Sequence, residues 1–172
     1  MPTHYVHRGL FKKNFNENTL TSFKYSFKEK FGVETDLHVS KDNQFVCFHD
    51  FNLKKKFKIN KKIKDTYYLD LKKISKRKKA EIPLLKSLLE ISKNKYPLLL
   101  EVKPLLKEKN LSNLIKLVKK IKNYKIISFK EKNLQRLYRL KKNLPLGLLF
   151  KSTASIKIIK LKSKKKYVKF LV

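Results

Sequence analysis

From residue 4 onward, short runs with strand character take turns with stretches of helical period, and that order leaves few folds open. HYVHR at 4–8 reads as a strand. Leu20, Phe23, Phe27 and Phe31 recur every three or four residues, as on one face of a helix that Gly32 would stop. The run at 33–39, VETDLHV, alternates as a half-buried strand does; KDNQ then forms a turn and 45–49 a further strand. Residues 51–80 mix loop with one short helix over 69–74. Helical period returns at 82–92, with Pro83 in the first turn, and again at 111–122, 133–142 and 155–163. Between these lie strands at 97–102, 125–129, 145–149 and 167–172. Alternation of this kind predicts a parallel sheet with helices outside it, because parallel strands need crossovers of helical length. An open doubly wound sheet and a (β/α) barrel both satisfy it. The chain has only 3 glycines and no glycine-rich phosphate loop, so the nucleotide-binding version of the first loses its main support.

A chain of 172 residues fits one domain, 1–172, and 41% hydrophobic residues suffice for a core. The formal charge of +32 draws anionic partners: phosphates, anionic membrane surfaces or nucleic acid. A composition biased to Lys, Ile, Asn and Leu makes most of those lysines solvated helix faces. The 13 acids become the informative residues, since each needs a local reason in so basic a chain. Cys47 is the single cysteine, which excludes an intrachain disulfide. With no membrane-length apolar run and no signal-peptide pattern, a cytoplasmic protein is expected.

Reactive side chains gather where strands end. His7 and Arg8 end the first strand, and Glu34, Asp36 and His38 share one face of the second. His49 and Asp50 end the third, Glu101 and Lys103 the fourth. In parallel α/β sheets and barrels the C-terminal strand ends form the active-site face. A lone Glu or His there is usually a solvated or satisfied polar group; three of the 4 histidines and three acids of matching parity are harder to dismiss. Three carboxylates at close range resist ionisation unless a cation lies between them, and an all-oxygen set suits Ca²⁺ or Mg²⁺ over Zn²⁺. Cys47, Tyr67 and Tyr68 read as packing residues, and His4, of opposite parity to His7, as structural or exposed.

At these residues the chain resembles the glycerophosphodiester phosphodiesterase family. The resemblance rests on HRG at 7–9, ENT at 17–19, ETDLHVSKD at 34–42 and HD at 49–50 with Leu53. IPLL at 82–85, LLEVK at 99–103, SF at 128–129 and PLGLLF at 145–150 follow in order. It spans roughly residues 4–150. It implies a (β/α)₈ TIM-barrel fold and hydrolysis of a small glycerophosphodiester to glycerol 3-phosphate and an alcohol. By position it implies His7 and His49 as the acid–base pair, with Glu34, Asp36 and Glu101 holding a divalent ion, Ca²⁺ or Mg²⁺. Arg8 and Lys103 would contact the phosphate, Glu17 and Asn18 would support the site, and His38 would stand behind it.

The sequence departs from the family mainly in length. Six to seven strands of eight can be counted, Trp is absent, and the chain stops within the apolar run YVKFLV. The expectation is a barrel incomplete at its C-terminus, from a truncated product. Asn16, Asn43 and Lys130 depart from the family pattern without touching the implied catalytic set. Two other functions stay in view: a lysophospholipase D or sphingomyelinase D-like lipid phosphodiesterase, and a non-enzymatic basic binder of nucleic acid or membrane surface. No nucleic-acid motif accompanies the charge, so specific nucleic-acid binding is not expected.

Overall fold

The computed structural model describes residues 4–11, 16–78 and 80–172. Six strands run parallel in one sheet: β1 (Tyr5–Val6), β2 (Gly32–Val39), β4 (Leu98–Val102), β5 (Tyr124–Ser128), β6 (Leu146–Leu148) and β7 (Phe170–Leu171), in that spatial order. The helices between them are α1 (Leu20–Lys28), α4 (Leu85–Ser92), α5 (Glu108–Val118), α6 (Glu131–Leu140) and α7 (Ile156–Ser163). Each connection is long enough to return the chain to the same end of the sheet, so all six strands end on one face.

The remaining strand corrects the sequence reading. β3 (Phe45–Cys47) pairs antiparallel with β2, with Leu37 opposite Cys47 and Val39 opposite Phe45. The link from Val39 to Phe45 is too short for a crossover and can only make a hairpin. Asn43, at φ +61°, takes the left-handed turn position that asparagine tolerates. Leu37 is flanked by Cys47 and Val102, and Val33 by Val6 and Leu98, so β1 and β3 share one side of β2. His49 therefore reaches the site from a hairpin rather than from the end of a parallel strand.

Four further expectations shift. Residues 51–78 carry α2 (Lys54–Phe57), a 3₁₀ turn at Ile63–Asp65 and α3 (Tyr68–Arg77), where one short helix was expected. They close over a small second core of Val46, Phe48, Leu53, Phe57, Ile63, Leu71, Ala80 and Ile82. Pro83 lies outside α4. Its carbonyl accepts a 2.8 Å hydrogen bond from the Cys47 N–H, and Leu84 bridges Val46, so this stretch is held extended along β3. α1 stops at Lys28, while Gly32 opens β2 at a spot where a Cβ would lie 2.6 Å from Pro97. Tyr67 does not pack inside; it is exposed, with the Lys41 ammonium 4.6 Å above its ring.

The main core lies between the sheet and its helices. Leu37, Leu98, Leu100, Val102 and Ile126 meet Phe23, Leu88, Leu111, Leu114 and Leu134, all fully buried. All eight β2 residues are buried, although one face carries Glu34, Asp36 and His38. That polar face lies away from the helices, on the inner side of the sheet. Among the described residues no helix is long and apolar enough to cross a membrane.

Candidate active site

The parallel register sets the centre of the site. Asp36 is directly opposite Glu101 across β2 and β4, and Glu34 precedes Asp36 by one pleat repeat on the same face. One carboxylate oxygen from each of Glu34, Asp36 and Glu101 can be chosen so that all three lie within 4.8 Å of one another. The three are 7%, 0% and 7% exposed, too little for water alone to stabilise three charges.

The corner after β1 supplies a cation and an N–H group. Arg8 and Gly9 hold consecutive positive φ values, +57° and +74°. At Gly9 a side chain would also collide with Ser22, whose Oγ lies 2.8 Å from where the Cβ would be. The corner aims the Arg8 N–H at Glu34 Oε2, 3.1 Å away, and swings the guanidinium across the site. Arg8 Nε lies 3.1 Å from Asp36 Oδ2, and Nη1 donates to both oxygens of Glu17 at 3.1 and 3.2 Å. His7 Nε2 is 3.9 Å from Glu34 Oε2 and its side chain is largely exposed. Partial desolvation by the surrounding protein, then the Arg8 charge, hold its imidazole below the usual histidine range.

Asn18 fastens this corner to β2. Its Nδ2 donates to Asp36 Oδ2 at 2.9 Å and its Oδ1 accepts from the Thr35 hydroxyl at 2.7 Å, while its own N–H donates to the Arg8 carbonyl. Next along the chain, Thr19 and Ser22 form a reciprocal capping box that starts α1. On the other side, Lys103 Nζ lies 3.1 Å from Asp36 Oδ1 and 3.5 Å from Glu101 Oε1. The structure thus brings together Arg8, Glu17, Asn18, Glu34, Asp36, Glu101 and Lys103, with His7 at the rim.

His49 and His38 belong to a second group beside it. His49 Nδ1 is 2.8 Å from Asp50 Oδ1, which leaves Nε2 free. His49, Asp50 and Lys103 line one cleft of about 310 Å³ together with Phe51, Asn52 and Lys55. His38 Nε2 lies 3.2 Å from the His49 carbonyl, and its ring meets Phe51 edge-on at 4.8 Å. Burial pushes the His38 pKa down to about 4, so it is a neutral donor that holds the His49 backbone. Sequence reasoning gave no role to Asp50 or Lys55. Asp50 was visible as the residue after His49, but only the folded turn shows that it faces the ring. Lys55 sits in a segment with no legible pattern.

The donor set fits a hard divalent cation. Four carboxylates (Glu17, Glu34, Asp36, Glu101) face two cations (Arg8, Lys103), an excess of two negative charges when all are ionised. Burial and repulsion from Asp36 push the Glu34 pKa up to about 8, and burial raises that of Glu101. Asp36 Oδ1 is fully buried and receives no hydrogen bond, although the Lys103 ammonium forms an ion pair with it at 3.1 Å. A buried carboxylate oxygen whose one close partner is an ammonium, in an all-oxygen cluster, fits a hard divalent cation such as Ca²⁺ or Mg²⁺.

The model of the glycerophosphoryl diester phosphodiesterase family matches residues 7–170, nearly the whole chain. The chain belongs to this family. Human lysophospholipase D GDPD1 is 39% identical over 69 residues, which are 40% of this chain and 22% of that protein. A glycerophosphodiester phosphodiesterase of Bacillus altitudinis is 30% identical over 95 residues, 51% of this chain and 38% of that one. The matched stretch therefore spans less than two-fifths of either relative. Among solved structures, the glycerophosphodiester phosphodiesterase of Thermotoga maritima superposes with a TM-score of 0.82 at 26% identity. It covers 99% of this chain and 73% of its own. An Oleispira antarctica phosphodiesterase, solved with its product sn-glycerol-3-phosphate, gives 0.81 at 24% identity, covering 99% and 74%, and supports the fold alone. As a member of this family the chain folds as the family's TIM barrel left open, and among the described residues it has six parallel strands with β1 and β7 at the two ends of the order.

Proposed function

We propose that the chain is a divalent-metal-dependent phosphodiesterase that converts glycerophosphodiesters to glycerol 3-phosphate and an alcohol. The observation that carries this reading is the buried Glu34–Asp36–Glu101 cluster, flanked by Arg8 and Lys103 and neighboured by two histidines.

A phosphodiester monoanion repels nucleophiles, and catalysis must offset the charge that builds on its oxygens. A divalent ion held by Glu34, Asp36 and Glu101 would supply positive charge there. Arg8 and Lys103, fixed by Asp36, bind the substrate's phosphate and keep its phosphorus in line with the entering oxygen. One imidazole of His7 and His49 takes the proton of the attacking oxygen, from a water or from the substrate's neighbouring hydroxyl, as it bonds phosphorus. The other gives a proton to the alcohol oxygen as its bond to phosphorus breaks. Where the neighbouring hydroxyl attacks, a water then opens the cyclic phosphate to glycerol 3-phosphate. Asp50 fixes the His49 ring, leaving Nε2 as the working nitrogen. Glu17 and Asn18 position Arg8 and Asp36, and His38 positions His49. The reading keeps the chain in the cytoplasm, where Cys47 stays a free, buried thiol.

Purified protein given glycerophosphoglycerol and Mg²⁺ or Ca²⁺ is expected to release glycerol 3-phosphate, and EDTA to stop it. Release that survives EDTA removes the metal, and absence of release with every divalent ion tried removes the reading.

A second reading, a lysophospholipase D acting at a lipid surface, draws on exposed apolar side chains. Phe11, Phe51, Leu105 and Phe129 lie in loops beyond β1, β3, β4 and β5, and all are at least 45% exposed. Such a rim on a chain of +32 suits an anionic membrane surface. Faster turnover of lysophospholipid in anionic vesicles than of water-soluble diesters would favour it.

A further inference from the structure

A second cleft of about 380 Å³ opens beside the cleft that holds His49, and Phe51 forms part of both walls. It begins where the site ends: His38 follows Asp36 by two residues on β2, and Pro104 follows Lys103 directly. Its other walls come from the β2–β3 turn, the 3₁₀ turn at Ile63–Asp65 and the start of α5. Four lysines line it, Lys41, Lys62, Lys64 and Lys107, and no aspartate or glutamate does. The nearby Asp42 carboxylate is turned to other work, accepting from the Ser40 hydroxyl and the Tyr68 N–H. Lys107 is also the N-cap of α5, where Glu108 in the first turn offsets the helix's positive end, so the lysines themselves supply the field.

Resting on the phosphodiesterase reading, we infer that this cleft receives the leaving arm of the substrate and selects an alcohol that carries its own negative charge, a phosphate or a carboxylate. A glycerophosphodiester has two arms. The glycerol arm is uncharged and gains nothing from four ammonium groups, which leaves the alcohol arm as the one the cleft can recognise. A choline or ethanolamine arm would need a carboxylate or an aromatic cage. Among the described residues the lining offers no carboxylate, and Phe51 is its only aromatic ring apart from His38. A pocket of this volume takes a sugar phosphate or an amino acid. The lysines are exposed, so the selection is moderate and sensitive to salt.

The test compares kcat/KM for release of glycerol 3-phosphate, a product common to the whole panel. Glycerophosphoinositol 4-phosphate and glycerophosphoglycolate supply phosphate and carboxylate arms, glycerophosphoglycerol a neutral arm and glycerophosphocholine a cationic one. At low salt the phosphate-bearing diester is expected to exceed glycerophosphocholine by about tenfold or more, with the neutral diester between them. Added salt should shrink the ratio. In the Lys62→Ala/Lys64→Ala double variant the ratio of phosphate-bearing to neutral diester should fall about fivefold, through KM. The glycolate diester, whose arm carries a carboxylate alone, is likewise expected to exceed the neutral one. Equal or better turnover of glycerophosphocholine, or a ratio that the double variant leaves unmoved, overturns the inference while the phosphodiesterase reading stands. If no member of the panel is cleaved, that reading falls and this one with it.

Discussion

Glu34→Gln is expected to lower kcat/KM by about a thousandfold while the metal-free protein becomes more stable, melting on the order of 5 °C higher. The two effects have one cause. The Glu34 carboxylate is 7% exposed, beside Asp36 and near Glu101, and water cannot reach it to offset the repulsion. Its folded pKa stands above the ordinary value, so the ionised group opposes folding once the pH passes its unfolded pKa, and the cost grows until the folded pKa, about 8, is reached. The amide removes that cost and keeps an oxygen for the Arg8 N–H, which Glu34 accepts at 3.1 Å. What is lost is one anionic ligand for the ion that the reading requires. Thermal melting in EDTA and steady-state kinetics in Mg²⁺ or Ca²⁺ read the two sides separately. A variant less stable than the parent would mean that the carboxylate supports the fold rather than an ion.

His7→Ala and His49→Ala are each expected to lose about 100- to 10,000-fold on natural diesters, and to part company on an activated one. A nitrophenyl ester has a leaving group that departs without a proton. Loss of the histidine that acts as acid is therefore repaired on that substrate, while loss of the base is not. His49 has Nδ1 on Asp50 and Nε2 free, and His7 stands at the rim with Glu34 and Arg8 beside it. One variant should recover most of its rate on the nitrophenyl ester and the other should not. If both recover, or neither does, the two histidines are not an acid–base pair.

Much of the site could be read from the chain because β2 carries it in one strand. The side-chain period of two puts Glu34, Asp36 and His38 on one face without any tertiary information. Parallel order then brings Glu101 opposite Asp36 once β4 is placed next to β2. What could not be read depends on contacts between segments far apart or on backbone turns. Nothing local tells that Arg8 sits at φ +57°, which is what lets its N–H and its guanidinium serve different carboxylates. The resemblance gives Asn18 a supporting role at the start of the first helix, but only the fold shows that it joins the Arg8 corner to Asp36 and Thr35 from a buried position. β3 was assigned as a strand, but its direction follows from turn length, and that reverses the approach of His49. Residues 51–78 gain their form from packing of Leu53, Phe57, Ile63 and Leu71 against β3, which lysine-rich local sequence conceals.

Calorimetric titration of the metal-free protein with Ca²⁺ and with Mg²⁺ tests the central claim most directly. The account predicts one ion per chain, bound in the micromolar to millimolar range of about 10⁻⁶–10⁻³ M. It also predicts that Asp36→Asn and Glu101→Gln each abolish the heat signal. A parent protein that binds neither ion, or variants that bind as the parent does, would contradict it.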